Sequence, residues 1–222
     1  MKIDLETLRL LMRIGAFVEL ITVIIGTFYF YKYKNTALKY ILLLFWYTVI
    51  NDLLGVFYLR GGIITDYNAI IYNIYNVISF TYLLLLYRHY IQNKIHKKAI
   101  LLFSIIYLIS FVINGFFENY LIKHQRFPYI IAAIFLVISI SLYFIEILNS
   151  QKVLNAKRNL LFWISVGFLI FFVGNLPFRI LTNYYLHLAD ATISFLVKLT
   201  LTIIMNICFI IGFIWSDKKQ QY

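Results

Sequence analysis

The sequence predicts an all-α polytopic membrane protein: a single bundle of about seven transmembrane helices over residues 1–222, with the N-terminus outside and the C-terminus cytoplasmic. Three observations carry this. Of the 222 residues 63% are hydrophobic and only 13% are charged, with a mean hydropathy of +0.84, whereas soluble domains carry roughly 25% charged residues. Apolar runs of about 19 to 26 residues recur along the chain, each long enough to span a bilayer. The basic residues fall mainly in alternate connections between those runs.

The first run covers roughly 9 to 31. Asp4 and Glu6 precede it and no small-residue cleavage site follows, so it reads as a retained helix rather than a signal peptide. KYKN leads to a second run at roughly 38 to 59 and LRGG to a third at roughly 68 to 88. NKIHKK precedes a fourth at roughly 99 to 117 and ENYLIKHQRF a fifth at roughly 128 to 148. Pro128 stands in the first turn of the fifth, where its missing N–H is tolerated. NSQKVLNAKRN leads to a sixth at roughly 160 to 181, in which Pro177 predicts a kink near Asn175. NYYLHL precedes the seventh, at roughly 190 to 215. Lipid offers no hydrogen bonds, so each run must satisfy its own backbone as a helix. None of the connections could hold a folded domain.

Orientation follows from the 20 Lys and Arg residues. Twelve lie in the first, third and fifth connections and the C-terminal segment, seven lie on the opposite side, and Lys198 falls within a span. The positive-inside rule places the richer side in the cytoplasm and the N-terminus outside. The net charge of +11 is thereby explained as topology and implies no nucleic-acid partner. The partners expected are the lipid bilayer and, through the basic loops, a membrane or cytoplasmic protein. Oligomeric state is not legible, because a Leu and Ile surface looks the same against lipid or a second subunit.

Ionisable groups at membrane depth cost about 2.5 to 3.5 kcal/mol each and normally face the bundle interior. At about 1.5 Å rise per residue, Glu19 falls near the midplane of the first helix. Asp52 and Lys198 fall toward the outer side of the second and seventh. Asn51, Asn73, Asn76 and Asn175 are predicted at comparable heights, while the inner half holds Asn206 and the near-terminal Glu146. In the seventh helix Asp190, Ser194, Lys198 and Thr202 recur every four residues on one slowly drifting face. In the third, Asn73, Asn76 and Ser79 recur every three. Two readings stand: buried hydrogen bonds and a Lys198 pair with Glu19 or Asp52 that glue the helices together, or an outward-opening pocket lined by Glu19, Asp52, Asn73, Asn76, Asn175 and Lys198. Tyr29, Tyr31, Tyr33, Tyr87, Tyr90, Tyr120, Tyr184 and Tyr185 near span ends read as an aromatic belt. Gly167, Gly174 and Gly212 read as points of close helix approach.

No HExxH, GxSxG or phosphate-cradling glycine loop is present, and His89, His96, His124 and His187 are scattered. The single Cys208 excludes a disulfide framework within the chain. The expectation is a non-enzymatic protein without metal or cofactor.

Seven helices with an outside N-terminus and Lys198 in the last resemble retinal proteins, in which such a lysine carries the chromophore. The aspartate that the microbial pattern sets four residues before it is here Ser194, and the third helix has no carboxylate. NDLLGVFYL followed by YNIYNVISFTYLLLLYRHYI resembles small uncharacterised seven-helix membrane proteins of Bacteroidota, and this resemblance implies a signalling accessory. A sensory or accessory membrane component is therefore expected. The alternatives are a small-solute or ion transporter, a membrane accessory of antiviral defence, and a retinal photoreceptor.

Overall fold

The computed structural model describes residues 5–58, 68–185 and 191–218. Every regular element among them is helical: α1 (Leu5–Phe28), α2 (Lys39–Tyr58), α3 (Asn68–Tyr90), α4 (Lys94–Asn114), α5 (Arg126–Leu148), α6 (Leu160–Tyr185) and α7 (Ala191–Trp215), with 3-10 segments at Phe30–Lys32 and Gln151–Arg158. Among the described residues, five stretches are long and apolar enough to cross a membrane: Ala69–Tyr90, Lys94–Asn114, Arg126–Leu148, Leu160–Ile180 and Phe195–Trp215. That composition is the one expected of a multi-pass membrane protein. The first two expected spans fall on α1 and α2, helices of 24 and 20 residues, which are not among those five. The LRGG connection with Asp66, and the segment carrying His187 and Asp190, lie outside the described residues.

The core is mainly apolar, but the outward face of α4 is apolar as well. On α4, Ser104 and Tyr107 are buried with Ile100, while Leu101, Leu102, Ile105, Ile106, Ile109, Val112 and Ile113 are exposed. A helix that turns its hydroxyls inward and its aliphatic side chains outward is matched to hydrocarbon, where exposing Leu costs nothing and exposing a polar group does.

The chain forms two compact units, one from residues 1–49 and 157–222, the other from residues 50–156. In the first, α6 and α7 pack with glycine at the contact. A β-carbon on Gly174 would stand 2.7 Å from Leu201 Cδ2, one on Gly167 2.7 Å from Phe209 Cε1, and one on Gly212 2.8 Å from Trp163 Cβ. The close approach expected at these three glycines is present, and it lets the two backbones gain dispersion contact that lipid cannot match. The pairings run in opposite directions along the two helices, so α6 and α7 are antiparallel. Gly15 faces Leu199 and Gly26 faces Phe213, so α1 and α7 run in the same sense. Phe45 of α2 stacks on Phe209 at 4.8 Å, and Phe168 meets Phe209 edge-on at 5.0 Å.

In the second unit α3, α4 and α5 pack on one another around Ala132, Ala133, Leu136 and Ile140 of α5, all fully buried. Phe80 meets Tyr107 at 5.8 Å and Tyr129 at 5.3 Å, and Phe103 stacks on Phe135 at 4.5 Å. Pro128 sits in the first turn of α5, and α6 runs continuously through Pro177.

Four buried hydroxyls, spread over both units, return to their own helices. Thr22, Ser104, Ser139 and Ser165 each donate to the carbonyl four residues earlier, at 2.9, 2.9, 2.8 and 2.6 Å. This satisfies them locally and leaves packing, rather than those hydroxyls, to hold the helices together.

Candidate functional site

The register of the first unit brings two of the expected site residues, Glu19 and Asn175, to one height with Thr202 of the four-residue stripe. Glu19 lies one turn along α1 from Gly15, which faces Leu199. Thr202 lies about one turn along α7 from Leu199, in the same direction. Asn175 follows Gly174, which faces Leu201. Glu19, Asn175 and Thr202 therefore sit within about one helical turn of each other along the unit, with Lys198 a turn to one side and Asn206 a turn to the other. Asn175, Thr202 and Asn206 are buried, Glu19 is half-buried and Lys198 is exposed. Asn206 Nδ2 donates to Thr202 O at 2.9 Å. The four-residue stripe on α7 thus rotates from an exposed position at Lys198 to buried ones at Thr202 and Asn206, because steps of four overshoot the 3.6-residue turn.

Asp52, Asn73 and Asn76 belong to the second unit. Asp52 and Asn76 are half-buried, and Asn51 Nδ2 is buried with no hydrogen-bond partner. Asn73 is fully buried and its amide is committed to the α4–α5 connection. Its Nδ2 donates to Tyr120 O at 2.8 Å and Lys123 O at 2.9 Å, and its Oδ1 accepts from Gln125 N at 3.1 Å. Around it Asn114 Nδ2 donates to Glu118 Oε2 at 3.1 Å and to Gln125 Oε1, while Gln125 Nε2 donates to Glu118 O at 3.3 Å. This polar knot folds the ENYLIKHQRF connection back over the helix ends. No spacing rule marks Gln125 or Asn114 as members. Their only sequence signal is an amide residue at each edge of a connection richer in charge than in glycine.

The other end of the second unit is closed by Glu146. Its Oε2 accepts from Gln92 N at 2.7 Å, and its Oε1 accepts from Asn93 N at 3.1 Å and meets His96 Nδ1 at 2.9 Å. Asn93 caps α4, its Oδ1 accepting from Ile95 N at 2.8 Å, as a residue with extended backbone ahead of a helix does. Glu146 thus ties the end of α5 to the start of α4.

In the first unit the corresponding work is done by Lys32 and Tyr33. Lys32 Nζ donates to Phe213 O at 3.1 Å and Ile214 O at 2.7 Å, placing a cation on the carbonyls that end α7. Burial pushes its pKa down, and the nearby Asp217 charge opposes that shift. Tyr33 Oη donates to Gly26 O at 2.7 Å, and its ring stacks on Phe213 at 5.7 Å. Tyr33 and Tyr87 are fully buried and Tyr90 nearly so, whereas Tyr31 is exposed. Proximity to a span end thus marks both interfacial and core tyrosines, and side-chain direction separates them.

No protein-family model, no curated protein and no solved structure matches the chain.

Proposed function

We propose that the chain is a non-enzymatic sensory or accessory protein of a bacterial inner membrane, crossing it seven times with its N-terminus outside. In this reading it responds to a small polar ligand received at the level of Glu19, Asn175 and Thr202. The observation that carries the proposal is their convergence at one height of α1, α6 and α7, where α6 and α7 otherwise meet through glycines and large apolar side chains. Polar groups at membrane depth are costly and mark functional positions by default. The topology is supported by α1 and α7 running in the same sense, as an odd number of crossings requires, and by the uneven distribution of Lys and Arg.

The experiment is a ligand screen by thermal shift on the purified protein, followed by Asn175→Ala and Thr202→Val. A stabilising ligand whose effect both variants lose, with their own melting temperatures kept, supports the reading. Liposome flux of ions or solutes that depends on Glu19 would replace it with a transport function.

A further inference from the structure

The geometry points to a binding surface for anionic phospholipid headgroups at the end of the second unit where α3 finishes, α4 begins and α5 finishes. Arg88 and His89 are exposed in the last turn of α3, and Lys94, Lys97 and Lys98 crowd the first turns of α4. The lysines are placed against their own interests. Cations at a helix N-terminus oppose the macrodipole, and like charges three and four residues apart repel by about 0.2 to 0.5 kcal/mol per pair. The nearby carboxylate does not relieve them. Glu146 spends both oxygens on Gln92 N, Asn93 N and His96 Nδ1, so its charge is turned into the fold. Among the described residues at this end, the outward-facing charge is cationic throughout.

Three aliphatic side chains near these helix ends are exposed: Ile95 in the first turn of α4 at 75%, Leu148 at the end of α5 at 67% and Leu154 in the 3-10 segment that follows at 86%. A surface that interleaves free Lys with unburied Ile and Leu suits neither water nor an RNA backbone. It suits the boundary between headgroups and acyl chains, where the ammonium groups meet phosphodiesters and the aliphatic groups enter hydrocarbon. Charge complementarity selects the acidic lipids among those available.

The test uses the full chain reconstituted into vesicles of phosphatidylcholine mixed with phosphatidylglycerol, with native mass spectrometry of the lipids retained on extraction. Wild type should be enriched in phosphatidylglycerol. At about fivefold per lysine near an anionic surface, the triple variant Lys94→Gln, Lys97→Gln, Lys98→Gln should lose about a hundredfold of that preference. The triple Lys→Arg variant should retain it, which excludes misfolding as the cause. Lys123→Gln, at the opposite end of the unit, should leave it unchanged. Equal enrichment in the Gln triple would overturn the proposal. Displacement of the retained lipid by inorganic phosphate at comparable concentration would also overturn it, in favour of a site for free anions. Stoichiometric capture of an acidic peptide in preference to phosphatidylglycerol would overturn it in favour of a protein partner.

Discussion

The phenol of Tyr120 occupies the space in which a side chain at Gly115 would begin: a β-carbon there would overlap the Tyr120 hydroxyl and the ring carbon that bears it. Gly115 has φ −66° and ψ −21°, an ordinary right-handed conformation, so its need for glycine is steric rather than conformational. In that space the Tyr120 hydroxyl donates toward Val112 O at 3.2 Å and Phe111 O at 3.3 Å, and the ring stacks on Phe111 at 5.1 Å. Gly115→Ala should therefore expel the ring and cost about 2 to 3 kcal/mol. Denaturant unfolding checks this. The double variant Gly115→Ala, Tyr120→Ala should be less unstable than the sum of the single ones, because the second change removes the clash created by the first.

Asn73 should behave as a structural residue of the α4–α5 connection. Asn73→Ala removes one hydrogen bond each from Tyr120 O, Lys123 O and Gln125 N, at a cost of about 3 kcal/mol. Hydrogen exchange should then rise across residues 118–125. Unchanged protection there, with a lost ligand response instead, would move Asn73 from scaffold to binding site.

The contact between Gly174 and Leu201 predicts a compensating pair. Gly174→Ala should destabilise by about 1 to 3 kcal/mol through overpacking. Leu201→Ala in the same chain should recover part of the loss by making room for the new methyl, an interaction that a double-mutant cycle measures. Simple additivity of the two would mean that α6 and α7 do not approach as closely as their glycines allow.

Tyr33 gives a pH signature. Burial holds its phenol well above the ordinary value of 10.0. Folded and unfolded forms are both neutral below that value, and above it the unfolded form ionises first. The stability associated with the neutral buried ring is thus fully present below about pH 10 and is lost as pH rises toward the folded value. Tyr33→Phe loses the hydrogen bond to Gly26 O, about 1 kcal/mol at neutral pH. Its alkaline decline should be shallower than that of wild type, so the two stability curves converge above pH 10. Parallel curves through pH 11 would show that the phenol ionises within the fold.

Much of the fold was legible without coordinates, for a reason particular to lipid. Backbone groups in hydrocarbon must pair within their own segment, so length and hydropathy alone place α3 through α7. Pro128 and the glycines at 167, 174 and 212 could be read because each acts through its own lack of an N–H or a β-carbon. The candidate site was legible only as an inventory. Glu19, Asn73, Asn175 and Lys198 look alike as polar residues in apolar runs, yet Asn73 is consumed by three backbone bonds and Lys198 is exposed. Which of them come to one height depends on helix register.

What the sequence determined by itself is therefore the class of solvent this chain is built for and the helical form that solvent imposes, since both follow from properties summed along each segment. Only the tertiary structure decided which polar groups are buried and which partners a residue such as Asn73 or Glu146 takes. A side chain's partners depend on the rotation of its helix, the register with its neighbours and the path of a connection such as 115–125, and these are settled by contacts between residues far apart in the chain.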